Sequence, residues 1–396
     1  MKKKTEILIV APYITFPDEP GFNRFITIAN MLSQSYSVTL VTSDFSHFQK
    51  KHRQIQPILE GVNIILLHEP GYKVNVGLGR VFSHRFFCEN FKAYLKSNGD
   101  KFDLVYSAYP LIYTNYILGK YKKKFNYKLI VDVQDIWPES ITGSIPLLAT
   151  RFGKLTLTPI SKYANKTYSY ADGLVAVSET YLNRANILKL NDDKAIVSYI
   201  GIPNIPIKNR YSPHTDIYKP LIATYLGTLG GSYDLITIIK AAALCKNEVQ
   251  INIIGSGPQE KKLKLLNKSL GSNVQFLGTF NYQEAMKVLS KSHVALNAIK
   301  PTAMQSVTNK LSDYLSYGLP VLSCQTNEEV KKLLKEGNNL SYQAFDHIDL
   351  ANKLIYLNRN RDLLQDISHN NYKISQRKFL RSESYKQIVS LVERLI

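Results

Sequence analysis

The sequence predicts an α/β protein built from two doubly wound parallel sheets, and three observations carry that prediction. The chain has 396 residues, which is enough for two or three domains. Its short runs rich in Val, Ile and Leu lack polar alternation, which indicates strands buried on both faces. These runs alternate with helical patterns, and the series begins again after about residue 200. We therefore expect two domains, with boundaries near 1–200 and 201–377.

In the first half, the expected helix covers residues 21–33, where Phe25, Ile28 and Leu32 recur at helical spacing. The predicted buried strands are EILIVAPY (6–13), SVTLVTSD (37–44), VNIILLH (62–68), FDLVYSAY (102–109), KLIVDVQD (128–135) and DGLVAVSE (172–179).

The second half follows a polar segment, Ile205–Pro220, whose three prolines indicate a linker. The predicted strands are LIATYLGTLG (221–230), VQINIIGSG (249–257), NVQFLG (273–278), HVALNAI (293–299) and LPVLSC (319–324). The predicted helices are Leu235–Cys245, Pro258–Leu270, Tyr282–Ser290, Lys310–Ser316 and Ser382–Ile396. Repeated strand, glycine loop and helix units predict two Rossmann-like domains.

The amino-acid composition excludes several classes of protein and of binding site. Hydrophobic residues make up 44% and charged residues 20%, which excludes whole-chain disorder or coiled coil. The cysteines, Cys88, Cys245 and Cys324, contain no CxxC, so we expect neither disulfides nor a thiolate zinc site, in keeping with a reducing cytoplasm. The eight histidines show no HxH or HExxH spacing, so we expect no metal site. No cofactor is expected either. The apolar run Ile7–Ala11 is too short for a signal peptide.

Two glycine loops follow predicted strands. Gly227, Gly230 and Gly231 form the first, and Gly255 and Gly257 the second. Residues without side chains let a backbone approach a phosphate or a sugar, and amides at a helix start bind anions. The alternative is that each loop is only a strand-to-helix turn.

Four segments in this order resemble the two-domain GT-B glycosyltransferases, above all the retaining glycosyltransferase family four. They are ADGLVAVSE, YLGTLGGSYD, IIGSGPQEKKL with NVQFLGTF, and SVTNKLSDYLSYGLPVL. The segment DVQDIWPES (132–140) resembles capsule and O-antigen transferases for amino or deoxy sugars. The resemblance implies two Rossmann-like domains facing across a cleft. The N-terminal domain would bind the acceptor and the C-terminal domain the nucleotide sugar, and the helix at 378–396 would return to the first domain.

The resemblance also implies a donor site. The family carries two acidic residues eight positions apart, and here Gln305 and Asp313 hold those places, so Asp313 is expected to accept from the ribose hydroxyls. Gln305 keeps an acceptor oxygen but has no charge. We expect Lys310 to supply a cation, because the first glycine loop lacks the Arg or Lys common in the family. The remaining expected donor contacts are Gly227, Gly230, Gly255, Gly257, Ser306, Thr308 and Asn309. The alternative places Lys310 and Asp313 on a solvated helix face.

The expected acceptor residues lie in the first half. Asp135, Trp137 and Glu139 follow a strand end, where open α/β sheets build their sites. Asp135 would orient the acceptor hydroxyl and Trp137 would stack on a sugar. The alternative is that Asp135 caps a helix and Trp137 fills a core. Asn23 and Arg24 follow the first strand, so they would reach donor phosphate or acceptor, or else form an exposed helix turn.

Charge points to an anionic partner. Lys and Arg number 50 against 31 acids, a net charge of +19. Residues 73–128 hold eleven Lys/Arg and three acids, and the basic segment 147–166 also contains Leu, Phe and Ile. With no apolar run of the roughly 20 residues that span a bilayer, we expect a cytoplasmic protein attached peripherally to anionic lipid.

The expected function is therefore retaining transfer of a sugar from a nucleotide-linked donor, with UDP as the expected nucleotide, to a lipid-linked or growing glycan in bacterial surface polysaccharide synthesis. Two alternatives remain open. One is a sugar-nucleotide epimerase of the same architecture. The other is a basic nucleic-acid-binding protein, although the chain has no zinc finger, RNP-like strand or basic helical tail.

Overall fold

The computed structural model describes residues 4–16, 19, 24–74, 77–139, 150–203, 219–303 and 305–396. The chain divides into two compact units. Unit 1 comprises residues 1–198 together with Tyr385–Ile396, and unit 2 comprises Tyr199–Ser384. Both units are α/β, as expected. In the described residues no helix is at once long enough and apolar enough to cross a bilayer.

Unit 1 contains a parallel sheet of seven described strands and a small antiparallel pair. The strands are β1 (Glu6–Val10), β2 (Ser37–Ser43), β3 (Phe45–Ser46), β4 (Lys51–His52), β5 (Val62–Leu67), β6 (Leu104–Tyr109), β7 (Lys128–Val133), β8 (Gly173–Ala176) and β9 (Ala195–Val197). The order in the sheet is β5-β2-β1-β6-β7-β8-β9, and β3 pairs with β4. The helices are α1 (Arg24–Ser33), α2 (Leu78–Asn98), α3 (Ile112–Phe125), α4 (Arg151–Tyr168) and α5 (Glu179–Ala185).

The sheet of unit 1 is buried on both faces, as its apolar runs predicted. Leu8 and Val10 of β1 belong to one core cluster, whereas Ile7 and Ile9 belong to another on the opposite face. Side chains alternate between the faces of a strand, so a strand apolar at every position must be covered twice.

Unit 2 contains a parallel sheet of six described strands, in the order β12-β11-β10-β13-β14-β15. They are β10 (Leu221–Leu226), β11 (Val249–Ile254), β12 (Val274–Gly278), β13 (Val294–Asn297), β14 (Val321–Ser323) and β15 (Leu340–Ser341). The helices are α6 (Leu235–Leu244), α7 (Glu260–Leu270), α8 (Tyr282–Leu289), α9 (Asn309–Ser316), α10 (Glu328–Glu336), α11 (His347–Arg359), α12 (Asp362–Lys378) and α13 (Arg381–Ser384).

The C-terminal segment was predicted to rejoin the first domain from residue 378, but the structure keeps 378–384 in unit 2. The reason is local packing within that unit. The ring of Phe379 lies 4.8 Å from that of Tyr199, and the amide of Arg381 donates to the carbonyl of Ile202. The last helix, α14 (Lys386–Leu395), belongs to unit 1, where Ile388 and Leu391 join the same core as Ile7. The proposed linker, 205–220, lies almost wholly outside the described residues.

Candidate donor and acceptor sites

The two glycine loops of unit 2 lie against each other. The amide of Gly227 donates to the carbonyl of Ile254, and the amide of Leu229 donates to the carbonyl of Ser256, each at 2.9 Å. A Cβ on Gly255, whose φ is +132°, would lie 2.0 Å from the carbonyl oxygen of Gly227. Gly255 is thus required by close backbone approach, and so is Gly257, whose Cβ would lie 2.6 Å from the carbonyl oxygen of Leu229.

Gly230 and Gly231 differ from the other loop glycines because they border open space. A Cβ on Gly230 would have only Thr228 within 4 Å, at 3.6 Å, and one on Gly231 would meet nothing. The tip of the first loop is thus free for close approach by a ligand.

Helix α9 presents its N-terminus after a polar loop. Thr308 is the N-cap, and its hydroxyl accepts from the amide of Leu311, while Asn309 and Lys310 form the first turn. Unsatisfied amides at such a position favour anions. The sequence located this helix well, because the predicted start at Lys310 differs from the observed start by one residue.

The segment before α9 is held by side chains that the sequence analysis did not single out. The side-chain amide of Gln325 donates to the carbonyls of Gln305, at 2.8 Å, and of Ser306, at 3.1 Å. The hydroxyl of Ser306 donates to buried Glu329 at 2.9 Å. Ser306 is therefore a support for the loop. The only sequence signal for Gln325 and Glu329 was their place just beyond a strand.

Lys310 joins the glycine loop to the helix start. Its Nζ lies 3.8 Å from the ring centroid of Tyr233 and 4.8 Å from that of Tyr225, whose hydroxyl it approaches at 3.4 Å. A Cβ on Gly227 would be 2.8 Å from this Nζ. Burial lowers the pKa of Lys310 from 10.5 to about 7. Because the ammonium of Lys310 packs against two rings and a hydroxyl, the alternative of a solvated helix face is wrong for it.

Asp313 is buried, with 4% of its surface exposed. Burial raises its pKa from 3.8 to about 7, against the lowering effect of a hydrogen bond from the Tyr282 hydroxyl to Oδ1 at 2.8 Å. The solvated-face alternative fails here as well. The role of Asp313 toward a ribose stays a prediction, to which the structure adds Tyr282 as its partner.

Gln305 carries a buried acceptor. Its Oε1 has no hydrogen-bond partner among the residues that the structure describes. A buried polar atom without a partner is costly unless a ligand supplies one. This oxygen is therefore suited to accept a hydrogen bond from a hydroxyl group of the donor sugar, the contact that the resemblance implied.

In unit 1, the residues after β7 contact one another. Oδ1 of Asp135 accepts from the amide of Ile136 at 2.8 Å, and Oδ2 accepts from Nε1 of Trp137 at 3.1 Å. Trp137 is half-buried against the core. Glu139 pairs with Arg184 at 2.6 Å. These contacts favour a structural role for all three, and their acceptor roles remain predictions.

The prediction for Arg24 is wrong. The structure buries this side chain, with 2% exposed, where its Nε donates to Asp132 at 2.8 Å and Nη1 to the carbonyl of Ser198 at 3.0 Å. The guanidinium also stacks 4.8 Å from the ring centroid of Tyr385. Because β7 and α14 engage it inside unit 1, it has no surface for a phosphate or an acceptor. Asn23 lies outside the described residues.

The comparisons with known proteins agree with this arrangement. Residues 208–374 match the family model described as glycosyl transferases group 1. The matched residues lie wholly within unit 2. None of the curated proteins matches the chain.

Solved structures of GT-B glycosyltransferases share the fold over the full length. HepE of Anabaena in complex with UDP aligns at TM-score 0.69 and 15% identity, covering 98% of this chain and 100% of its own. Sucrose-phosphate synthase of Thermosynechococcus elongatus aligns at TM-score 0.71 and 16% identity, covering 99% of each chain. The lipopolysaccharide outer core galactosyltransferase WaaB aligns at TM-score 0.66 and 16% identity, covering 99% of this chain and 100% of its own. The fold prediction is thereby confirmed, and the family match supports glycosyl transfer from a nucleotide sugar.

Proposed function

We propose that this protein is a retaining glycosyltransferase that moves a sugar from a UDP-linked donor to a lipid-linked or growing glycan in bacterial surface polysaccharide synthesis. The observation that carries the proposal is Lys310, a half-buried amine beside a glycine loop and a helix N-terminus, with a pKa lowered to about 7. An amine in these surroundings would be stabilised in its protonated form by a bound anion. The choice of UDP is supported by HepE, whose structure has been solved with UDP and also with UDP-glucose.

The donor diphosphate would lie at the start of α9. The amides of Asn309 and Lys310 would bind its oxygens, and the ammonium of Lys310 would balance the charge that grows on the leaving group. A diphosphate near Nζ raises the pKa of Lys310 again, because an opposite charge favours the protonated amine. Gly230, with open space beside it, allows the backbone to approach.

Retention would proceed on the front face. Double displacement requires a nucleophile beneath the anomeric carbon, and a glutamine amide such as Gln305 is a poor one. The leaving diphosphate would instead take the acceptor proton while Lys310 and the helix amides stabilise it. Gln305 would accept from a sugar hydroxyl, and Asp135 would orient the acceptor hydroxyl.

We also propose that unit 1 binds an anionic membrane surface. Helix α2 begins with apolar side chains that face solvent, since Leu78 is 87% and Phe82 63% exposed. Arg80 and Arg85 lie on the same turns. Exposed apolar groups with basic neighbours are typical of interfacial helices.

A basic groove between α2 and α3 supports the same proposal. Its volume is about 330 Å³, and Lys92 and Lys120 line it together with Tyr113, Tyr116, Ile117 and Tyr121. Nζ of Lys120 lies 5.1 Å from the ring centroid of Tyr116. Two ammonium groups and phenolic hydroxyls suit a lipid phosphate. Of the second predicted membrane segment, residues 147–149 lie outside the described part.

The experiment that tests the function is a panel of nucleotide sugars, offered with a lipid-diphosphate acceptor. UDP release and product formation are measured for the wild type and for Lys310→Ala, with Lys287→Ala, an exposed lysine of unit 2, as the matched control. We expect activity with at least one UDP-sugar, a large loss for Lys310→Ala and none for the control. NMR of the first-formed product reports the anomeric configuration. An inverted centre contradicts retention, and full activity of Lys310→Ala contradicts the donor site.

A further inference from the structure

Unit 1 brings together three metal-ligating side chains that are separated along the chain. Among the residues that the structure describes, Asp44, His52 and His68 offer ligand atoms that all lie within 4.8 Å of one another. Asp44 is the residue after β2, His52 lies in β4, and His68 is the residue after β5. No sequence motif marks them, because the parallel pairing of β2 with β5 and the turn into β4 create the cluster.

The two imidazoles direct the same ring atom at one carboxylate. Nδ1 of His68 lies 2.7 Å from Oδ2 of Asp44, and Nδ1 of His52 lies 3.4 Å from Oδ1. The two rings stack at 5.5 Å with an interplanar angle of 22°. Two imidazole nitrogens from different elements thus face the two oxygens of one carboxylate.

The backbone fixes the carboxylate in this position. The amide of Asp44 donates to the carbonyl of Leu67 at 2.9 Å, and its own carbonyl accepts from the amide of Arg53 at 2.8 Å. The amide of Glu69 donates to Oδ1 at 3.1 Å. The carboxylate is thus held in place, and a metal ion would replace the proton shared between Nδ1 of His68 and Oδ2 of Asp44.

The histidines are also supported from outside the cluster. Nε2 of His52 lies 3.4 Å from the carbonyl of Pro70, and its ring meets the edge of Phe45. The carbonyl of His68 accepts from Asn90 at 2.9 Å. Metal-binding histidines commonly donate the second ring N–H to a carbonyl, and that bond leaves Nδ1 as the lone-pair nitrogen. His52 is therefore arranged for ligation through Nδ1.

We propose that Asp44, His52 and His68 form a site for a divalent transition metal of the zinc class. Imidazole and carboxylate suit Zn²⁺, whereas Mg²⁺ and Ca²⁺ prefer oxygen ligands alone. Three protein ligands at roughly 2.0–2.2 Å would leave a fourth position for water or an exogenous group. His68, 60% exposed on its side chain, gives the ion a path from solvent.

The site belongs to unit 1 and shares no residue with the donor site in unit 2. Its ion would connect the end of β2, the β3–β4 pair and the end of β5. We therefore assign it a structural or regulatory role in the first unit, separate from the stabilisation of the leaving diphosphate.

The test is titration of the full-length, tag-free, metal-stripped protein with ZnCl₂, followed by isothermal calorimetry. We expect one Zn²⁺ per chain, and at least tenfold weaker binding for Asp44→Asn and for His68→Ala. The control is His369→Ala, an exposed histidine of α12 in unit 2, which should bind as the wild type does. MgCl₂ should not compete.

A spectroscopic measurement tests the proposed ligands without relying on the Zn²⁺ affinity. Co²⁺ in the site should give visible ligand-field bands that Asp44→Asn and His68→Ala remove and that His369→Ala retains. Circular dichroism checks that each variant is folded. The proposal is overturned if the wild type takes up no stoichiometric metal, or if both ligand variants bind Zn²⁺ as tightly as the wild type.

Discussion

A buried cation, Arg24, and a half-buried one, Lys310, have opposite surroundings. Arg24 donates to Asp132 through Nε and Nη2, at 2.8 and 3.3 Å. Lys310 faces the rings of Tyr225 and Tyr233 instead. A buried ion pair needs no further partner, whereas an amine packed against aromatic rings and a phenolic hydroxyl has a lowered pKa and can receive an anion. The first cation serves stability, and the second is the candidate for function.

The first prediction concerns pH and Lys310. In the free enzyme its pKa is about 7, so the fraction of protonated amine falls as the pH rises through 7. We expect kcat/KM for the donor to fall on the alkaline side, because this ratio reports the free enzyme. Lys310→Arg keeps its charge and should remove that alkaline fall. Steady-state kinetics from pH 6 to about 9 measure it, with Lys287→Arg as control, and an unchanged profile for Lys310→Arg would refute the assignment.

The second prediction concerns Asp313 and the acid side of the same profile. Its pKa of about 7 means that the carboxylate is lost as the pH falls through 7. The hydroxyl of Tyr282 lowers that pKa, so Tyr282→Phe should move the acid limb to higher pH. Asp313→Ala should raise the donor KM strongly, since each lost charge-assisted hydrogen bond is worth roughly 1.5–3 kcal/mol. A folded Asp313→Ala enzyme with the wild-type KM would rule out contact with the donor.

The third prediction concerns the Arg24–Asp132 pair. Arg24→Met leaves the carboxylate of Asp132 buried without its cation, although the hydroxyl of Tyr106 still donates to it at 2.6 Å. We expect a loss of about 3–5 kcal/mol in the free energy of unfolding. Arg85→Met is the control, because the Arg85–Glu89 pair is exposed and should change stability by about 1 kcal/mol or less. Urea denaturation measures both, and equal effects would contradict a structural role.

At the scale of elements, the paired glycine loops of unit 2 make the fourth prediction. Gly255→Ala places a Cβ 2.0 Å from a backbone oxygen at a positive φ, so the loops must separate. We expect a loss of about 1–3 kcal/mol in stability. Gly231→Ala meets nothing within 4 Å and is the matched control. Thermal melting followed by circular dichroism distinguishes the two, and an unaffected melting temperature for Gly255→Ala would contradict the close approach.

The strands were the elements that the sequence predicted best. Most residues of Leu221–Leu226 and Val249–Ile254 are apolar, and they do not alternate with polar residues. The sequence therefore predicted that both faces of these strands are buried. Helices α2 and α3 were not predicted from periodicity. Helix α2 leaves Leu78, Val81 and Phe82 in solvent, so its apolar residues do not follow one stripe. These three side chains are exposed because no other part of the described chain packs against them.

The donor site was predictable in position but not in its supports. Thr308 and Lys310 lie in one short motif, whereas Gln325 and Glu329 reach it across 19 to 23 residues. The Arg24–Asp132 pair spans 108 positions, and the Asp44–His68 contact spans 24. Such partners are chosen by strand order in the sheet, which one sequence does not reveal. The error at Arg24 came from treating a helix start as exposed.

At the scale of the whole molecule, the fifth prediction concerns membrane binding. Leu78→Ser with Phe82→Ser should weaken binding to anionic vesicles by about the free energy of burying two apolar side chains, roughly 1.5–3 kcal/mol each. Ile55→Ser, at an equally exposed apolar residue of unit 1, is the control and should have no effect. Co-sedimentation measures both, and equal binding by the double variant would contradict the proposal.

Charge is tested separately on the same surface. Lys122 already pairs with Asp172 at 2.7 Å, so it is left unchanged. Replacement of Lys120, Lys123 and Lys124 by Gln should cost about 1 kcal/mol per charge near the surface. Added salt should weaken wild-type binding more than binding by this variant, and binding that ignores both salt and lipid charge would exclude electrostatic docking.

Unit 1 is built from two pieces of chain, and that has a consequence for its biogenesis. The ribosome delivers residues 1–198 first and Tyr385–Ile396 only after all of unit 2. Tyr385, Ile388 and Leu391 are fully buried in the core of unit 1, so until they emerge this core has an open apolar slot. Unit 2, which is continuous in the chain, can fold on the nascent polypeptide while unit 1 waits. The first half of the protein to be made is thus the last to be finished, and chaperones would meet it in that unfinished form.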